Sequence, residues 1–250
     1  FDAHYDCELS ESCRASKLSK PTLTPKGDIV CFGKTGNKYS TSIQGAMFEC
    51  RHTLNGTLRT KFYSGSDTQN YCGVERSPVM FYRGTPLVYF LQQPLDGVPL
   101  STCPYRVLAR NPYRWMGLSV GPEEKEWTYD FPSVEDGFGG MVLARDGEIL
   151  YVVVDKSVVA LGRLSGEVKW HSVGNLTLGK PLPQPPFLDE DERVLYITTD
   201  RALYKMSTID GAIIGHFEFP ASQYAYVPGV LSNDKNEVYI TLTPGKNQAS

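Results

Sequence analysis

The sequence lacks the features that mark membrane and nucleic-acid-binding proteins. No apolar run approaches the roughly 20 residues that a membrane-spanning helix needs. The chain has a formal net charge of −3 and contains no block rich in Lys or Arg. Because nucleic-acid binders draw most of their affinity from basic contacts to phosphate, we expect no nucleic-acid partner, and we expect no membrane span within this chain.

Metal-binding and catalytic signatures are also missing. None of the six cysteines stands in a C-x-x-C pair, and the four histidines are scattered, whereas structural zinc sites need close pairs of ligands. There is no G-x-S-x-G and no H-E-x-x-H. The adjacent carboxylates Glu135 and Asp136 lead into the glycine-rich stretch 137–140, which precedes a predicted strand and therefore indicates a turn between strands. We predict no catalytic residue, no bound metal and no cofactor.

An even number of cysteines without metal-site spacing favours disulfides. All of them lie in the first half of the chain, and the candidates are Cys7, Cys13, Cys31, Cys50, Cys72 and Cys103. Sequence alone leaves the connectivity open, although proximity favours Cys7–Cys13 and flanking inserted segments favour Cys72–Cys103. Disulfides persist in oxidising compartments, which favours this interpretation over the alternative, a cytosolic protein with six buried thiols.

Two sequons point to the same compartment. Asn55-Gly56-Thr57 and Asn175-Leu176-Thr177 match the acceptor pattern for N-glycosylation, so Asn55 and Asn175 are the predicted glycosylated residues. Together with the cysteines, they predict a protein that is secreted, exposed at the cell surface or retained in the endoplasmic reticulum lumen.

The residues that the sequence does have in quantity are turn formers and aromatics, and they are arranged in a repeat. It contains 23 Gly, 17 Pro and 15 Tyr, a mixture that suits many short strands joined by tight turns. A polar turn leads into each of three β-branched or aromatic runs, at 149–154, 194–199 and 238–242. Their tyrosines are 45 and 43 residues apart, at Tyr151, Tyr196 and Tyr239. Each run is predicted to be the second strand of a hairpin, because a strand-like segment lies just upstream of it.

The first two of these units continue alike. Strand-like segments at 157–161 and 201–206 precede turns at Gly166 and Gly211, again 45 residues apart, and a fourth strand-like run follows each turn. A unit of about 45 residues with four antiparallel strands is one blade of a β-propeller. A β-sandwich is the alternative, but it does not require this period.

Weaker copies extend the pattern toward the N-terminus. They place blade starts near residues 22, 78, 139, 183 and 226. The longer spacing from Tyr89 to Tyr151 predicts an insertion of about 17 residues at 96–112. We therefore predict an all-β propeller of four-stranded antiparallel blades at 21–250, preceded by a disulfide-bearing segment at 1–20. About five blades are visible, and the last is incomplete, which favours part of a seven- or eight-bladed ring or a chain completed by a partner.

One blade carries a family resemblance. The stretch from Val159 to Trp170, V-A-L-G-R-L-S-G-E-V-K-W, resembles the PQQ-type repeat, in which a strand ends in Ala-Leu and a Trp closes the fourth strand. The resemblance implies that Trp170 wedges between neighbouring blades, whereas Gly215 and Thr60 stand at this position in other blades. The quinoprotein enzymes of the family have a vicinal Cys-Cys disulfide, which this chain lacks. The resemblance is therefore to a non-catalytic member.

The proline-rich segment 92–113 and the two residues after it form the predicted interface. Aromatic residues and arginines are enriched at protein interfaces, and a loop stiffened by proline and a disulfide loses little entropy on docking. A loop that only covers its blade is nevertheless the interpretation that the segment favours slightly. The candidate contacts are Tyr105, Arg106, Arg110, Tyr113, Arg114 and Trp115.

These observations predict binding in preference to catalysis. The first hypothesis is a non-enzymatic secreted or lumenal scaffold that binds protein, either its own remaining blades or a partner chain. One alternative is a fragment of a PQQ-dependent oxidoreductase. The other is a carbohydrate-binding or cell-surface adhesion module, whose partner would be a glycan.

Overall fold

The computed structural model describes residues 17–24, 26–35, 48–62, 71–74, 79–80, 87–95, 97–113, 126–135, 137–145, 147–182, 184–227, 229–232 and 237–244. These residues form strands, turns and loops, with no helix among them. None of this part of the chain forms a helix long and apolar enough to cross a membrane. The chain divides into two compact units, residues 1–133 and 134–250.

The first unit contains two antiparallel sheets. Its strands are β1 (Lys17–Leu18), β2 (Thr22–Leu23), β3 (Ile29–Thr35), β4 (Phe48–His52), β5 (Leu58–Phe62), β6 (Cys72–Gly73), β7 (Val79–Met80), β8 (Val88–Pro94), β9 (Arg106–Arg110) and β10 (Trp127–Asp130). The first sheet has the order β1-β3-β4-β5, and β2 also pairs with β3. The second sheet has the order β10-β9-β8-β6, and β7 also pairs with β8.

An apolar core holds these two sheets together. It includes Ile29 and Phe48 of the first sheet and Val88 and Phe90 of the second, all fully buried. The rings of Phe48 and Phe90 stack with their centroids 4.1 Å apart. Burying such rings on both sides of the contact stabilises the packing of the two sheets.

The second unit continues the same architecture. Its strands are β11 (Phe138–Leu143), β12 (Ile149–Val154), β13 (Ser157–Gly162), β14 (Val168–His171), β15 (Phe187–Leu188), β16 (Val194–Thr198), β17 (Ala202–Ser207), β18 (Ile213–Glu218), β19 (Gln223–Ala225), β20 (Val230–Leu231), β21 (Val238–Tyr239) and β22 (Leu242–Pro244). Two four-stranded sheets have the orders β11-β12-β13-β14 and β15-β16-β17-β18. Two further pairs, β19-β22 and β20-β21, follow them. All pairings within these sheets are antiparallel.

The repeated tyrosines occupy matching places in this unit. Tyr151 lies opposite Val142 of the preceding strand, and Tyr196 lies opposite Phe187 in the same way. The third member, Tyr239, lies opposite Val230. Each tyrosine is thus in the second strand of its own sheet, as the 45- and 43-residue spacing predicts.

The docking role expected for Trp170 is visible in the contact between the sheets of this unit. Its indole Nε1 donates a hydrogen bond to the carbonyl oxygen of Thr208 over 2.9 Å. The ring lies directly on Gly211, where an added Cβ would stand 2.5 Å from Trp170 Cε3. Gly211 has a φ of +71°, so the turn between β17 and β18 needs glycine for both backbone and space.

A second repeated contact joins each of the two four-stranded sheets of this unit to the segment that precedes it. The backbone N–H of Asp155 donates to the carbonyl of Gly137 over 2.9 Å, and its carboxylate accepts the N–H of Gly137 over 3.1 Å. Asp200 makes the same reciprocal pair with Lys180, over 2.9 and 2.8 Å. The sequence signal is Tyr-x-x-x-Asp at both places, which sequence reasoning missed.

The insertion expected at 96–112 is not continuous, and this expectation is corrected. Residues Arg106–Arg110 form β9, a full member of the second sheet, and Phe90 of β8 lies opposite its Leu108. The additional length is divided between the β8–β9 and β9–β10 connections. The surrounding prolines suggested a loop, but Val107 and Leu108 are buried in the sheet and stabilise the strand there.

Candidate interaction surface

The arginines predicted to form an interface are engaged within the second sheet of the first unit. Arg106 on β9 pairs with Asp130 on β10, with 2.9 Å between Nε and Oδ1. Arg110 lies 3.7 Å from a carboxylate oxygen of Glu126 and donates to the backbone carbonyl of Trp127 over 3.1 Å. These contacts orient both side chains toward β10. Whether they also contact a partner stays a prediction.

Tyr113 ties the connection after β9 to the first sheet. Its hydroxyl donates to Asp28 Oδ1 over 3.1 Å, and its backbone carbonyl accepts a hydrogen bond from Arg59 over 2.7 Å. Asp28 also accepts a hydrogen bond from Thr24. The Thr24 bond, together with the weaker Tyr113 bond, lowers the pKa of Asp28, whereas partial burial raises the pKa of Tyr113. Tyr105 is half-buried, and Arg114 and Trp115 lie outside the described residues.

Two disulfides lie in the core of the first unit. Cys72 and Cys103 have their Cα atoms 5.6 Å apart, and the bond joins β6 to the β8–β9 connection, the pairing that the sequence favours. Cys31 and Cys50 lie directly opposite each other on β3 and β4, with their Cα atoms 4.1 Å apart. Sequence reasoning did not propose this second pair, because it depends on the register of the two strands. Cys7 and Cys13 lie outside the described residues.

Both predicted glycosylation sites are exposed. Asn55 lies in the turn between β4 and β5, where its side-chain oxygen accepts hydrogen bonds from the backbone N–H of Thr57 over 3.1 Å and from its hydroxyl over 2.8 Å. Asn175 is exposed in the loop after β14, next to the fully buried Leu176. An oligosaccharide on either asparagine would extend into solvent.

The most exposed aromatic side chains all lie between residues 217 and 239 of the sequence. Among the described residues, the large aromatics classed as exposed are Phe217, Tyr226 and Tyr239, with 62%, 57% and 58% of their surfaces accessible. Val230 of β20, which lies opposite Tyr239 of β21, is 59% exposed as well. We call Phe217, Tyr226 and Tyr239 the exposed aromatic set. Sequence reasoning missed it, because the repeat makes Tyr239 equivalent to Tyr151, which is only 3% exposed.

No metal-binding cluster accompanies this set. Within the described ranges, no group of three or more His, Cys, Asp or Glu side chains could hold a metal ion.

Comparison with known proteins identifies the fold. No family model and no curated protein matches the chain. A chain in the crystal structure of the mitotic checkpoint complex matches with a TM-score of 0.55 and 9% identity, over 93% of this chain and 66% of that one. The fold is a β-propeller. The C-terminal WD40 domain of Sif2 also matches, with a TM-score of 0.55 and 9% identity, over 92% of this chain and 59% of that one.

The extent of the likeness limits what it shows. The propeller described here spans less than two thirds of the length of both matched chains, at 66% and 59%. At 9% identity the likeness shows the fold alone. The relationship to the PQQ-type repeat therefore stays a prediction based on the residues around Trp170.

Proposed function

We propose that this β-propeller is a non-enzymatic scaffold that binds another protein. The observation that carries the proposal is the exposed aromatic set, because exposed aromatics are costly to leave in water and are enriched at protein interfaces. All three lie between residues 217 and 239. One structurally similar chain belongs to a multiprotein assembly, the mitotic checkpoint complex, which agrees with this use of the fold.

Replacing the exposed aromatic set should abolish partner binding. The variant carries Phe217→Ser, Tyr226→Ser and Tyr239→Ser, and the immobilised chain is used to capture proteins from the extract and medium of the cells that produce it. We expect at least one partner in stoichiometric amount with the native chain and a loss of more than about 90% with the variant, since a few central aromatics carry most of the energy of an interface.

The matched control removes exposed apolar groups elsewhere. Leu23→Ser and Leu54→Ser replace leucines that are 51% and 96% exposed in the first unit. This control should capture as much partner as the native chain. Equal capture by all three proteins, or no partner for the native chain, would refute the proposal.

We further propose that the protein works in an oxidising compartment, as a secreted, cell-surface or lumenal protein. The two disulfides support this location, because such bonds persist where thiols are not kept reduced. The exposure of both sequons agrees with it.

A protein that passes through this compartment should be glycosylated at both Asn55 and Asn175. Expressed with a signal peptide in mammalian cells, the native chain should show two shifts on electrophoresis that peptide-N-glycosidase removes. Asn55→Gln and Asn175→Gln should each remove one shift, because each asparagine is exposed. Glycan-free native protein in the medium would contradict the assignment of these two residues.

A further inference from the structure

Three hairpin turns of the chain share one construction. They join β4 to β5, β13 to β14 and β17 to β18, and the matching dipeptides are Asn55-Gly56, Ser165-Gly166 and Asp210-Gly211. The φ of each glycine lies between +69° and +71°, and its N–H donates to the carbonyl four residues earlier. In each turn the side-chain oxygen before the glycine accepts the backbone N–H of the residue after it. The three turns can therefore be compared position by position.

The first of these turns differs from the other two in its chemistry and in its openness. Asn55 is the only asparagine of the sequence that is followed by glycine. Its side chain is exposed, and a Cβ placed on Gly56 would meet nothing within 4 Å. In the β17–β18 turn, by contrast, the Trp170 ring covers the equivalent Gly211. The backbone next to Asn55 is thus open to water and to rearrangement.

The amide oxygen of Asn55 is held by two donors. It accepts the backbone N–H of Thr57 over 3.1 Å and the Thr57 hydroxyl over 2.8 Å. When a nucleophile attacks an amide carbon, negative charge develops on the oxygen, and donors already directed at that oxygen stabilise the charge. The turn therefore prepares the side-chain amide of Asn55 for attack.

The nearest nucleophile along the chain is the backbone nitrogen of Gly56. Its N–H donates to the carbonyl of His52 over 2.9 Å, and this bond must open before the nitrogen can react. The bond closes an exposed hairpin end, where local opening costs far less than unfolding of the whole unit. Glycine also leaves the nitrogen without a neighbouring side chain that would obstruct its approach.

We propose that Asn55 cyclises onto Gly56 in the folded chain and that Thr57 promotes the reaction. The Gly56 nitrogen forms a bond to Asn55 Cγ, the bond from Cγ to the side-chain nitrogen breaks, and that nitrogen leaves as ammonia with the proton from Gly56. Water then opens the resulting succinimide ring at one of its two carbonyl groups, which yields either aspartate or isoaspartate. The reaction needs water alone as co-reactant.

The two products fit the turn differently. Aspartate is accommodated, since Asp210 at the equivalent place accepts the N–H of Ala212 over 3.2 Å. Isoaspartate lengthens the backbone by one methylene group and breaks the spacing of the turn. The nitrogen that leaves is also the atom to which an oligosaccharide would be attached, so the reaction removes Asn55 as a glycan acceptor. This chemistry is independent of the scaffold function.

The test uses the chain produced in the bacterial periplasm, where disulfides form and Asn55 carries no glycan. The folded chain is incubated at mildly alkaline pH, conversion is followed by peptide mapping with mass spectrometry, and isoaspartate is detected with protein isoaspartate methyltransferase. We expect conversion of Asn55, at a rate that rises with pH because the attacking nitrogen must lose its proton.

Two other asparagines of the same chain serve as internal controls and should stay intact. Asn111 precedes Pro112, which has no backbone N–H. Asn175 precedes the fully buried Leu176, whose N–H donates to the carbonyl of Lys156 over 2.7 Å.

Three variants of the turn separate its contributions. Gly56→Ala should slow the conversion about tenfold, because a side chain next to the nitrogen obstructs ring closure. Thr57→Val should slow it about threefold by removing the hydroxyl donor, whereas Thr57→Ser should keep the native rate. Asn55→Ser is the unreactive control, and Ser165 in the equivalent turn shows that the fold accepts serine there.

Unfolding midpoints of all variants are recorded, so that a change in rate is not mistaken for a loss of folding. The proposal is overturned if Asn55 stays intact in the folded chain under conditions that convert it in urea. It is also overturned if Thr57→Val reacts at the native rate, or if Asn175 is converted as fast as Asn55, which would place the reaction in unfolded molecules. Each of these results leaves the proposed scaffold function standing.

Discussion

Gly211→Ala should lower the free energy of unfolding of the second unit by about 3 kcal/mol. Two effects add. Gly211 has a φ of +71°, a conformation that alanine adopts only with strain. The new Cβ would also stand 2.5 Å from Trp170 Cε3 and 3.0 Å from the Cα of Ser172, so the neighbouring sheet must move. Chemical denaturation followed by tryptophan fluorescence measures the loss.

Gly56→Ala separates the two effects. Gly56 has nearly the same φ, +70°, in the turn between β4 and β5, but a Cβ there meets nothing within 4 Å. It should therefore show the backbone strain alone, about 1 kcal/mol. Equal losses for the two variants would mean that the contact between Trp170 and Gly211 contributes nothing.

A double variant tests the same contact from the other side. When Trp170→Ala is already present, Gly211→Ala should cost only about 1 kcal/mol, because the ring that obstructs the new methyl group is gone. The difference between the two backgrounds measures the coupling of the two residues. Additive losses would assign the effect of Gly211 to its own backbone.

Replacing Cys72 and Cys103 by alanine should destabilise the first unit by about 3–4 kcal/mol. The bond links residues 31 apart in sequence, and both sulfurs lie in the core between the two sheets of that unit. Its loss frees the β8–β9 connection in the unfolded chain and leaves a gap in the folded one. Urea denaturation of the first unit, compared with the native chain, measures the effect.

Cys31→Val with Cys50→Val is the matched comparison. These residues already face each other across the β3–β4 ladder, and a pair of β-branched side chains packs well at such a position. This variant should lose less stability than the Cys72→Ala and Cys103→Ala variant. A non-reducing peptide map of the native chain that lacks the linked Cys72–Cys103 peptide would contradict the pairing. An unchanged urea midpoint in the Cys72→Ala and Cys103→Ala variant would contradict it as well.

The repeat could be predicted from sequence because its signal is local. Residues 149–154 are an unbroken run of Ile, Leu, Tyr and Val that follows directly after a polar turn, and the expected strand and β12 have the same bounds. Tyr151 and Tyr196 mark the same strand in successive units, and the tight turns at Gly166 and Gly211 mark the next connection. Each of these features depends on residues close together in the chain, where propensity and periodicity act.

Features that depend on distant residues escaped prediction. Strand β9 lies among prolines and is stabilised by its pairing with β8 and β10 and by the burial of Val107 and Leu108. Cys31–Cys50 follows from the register of β3 and β4, and the Asp155 and Asp200 contacts require a preceding segment to return to each hairpin. Local propensity carries no information about which distant strand a segment will meet.

The sequence by itself determined the all-β class and the repeat of about 45 residues that predicts four-stranded blades, because turn residues, strand formers and their spacing are local properties. The tertiary structure alone decided which side chains of the repeat are covered. Tyr151 and Tyr239 share one place in the repeat, yet one is 3% exposed and the other 58%. Burial depends on the sheet that packs against a residue, so the exposed aromatic set could be found only in three dimensions.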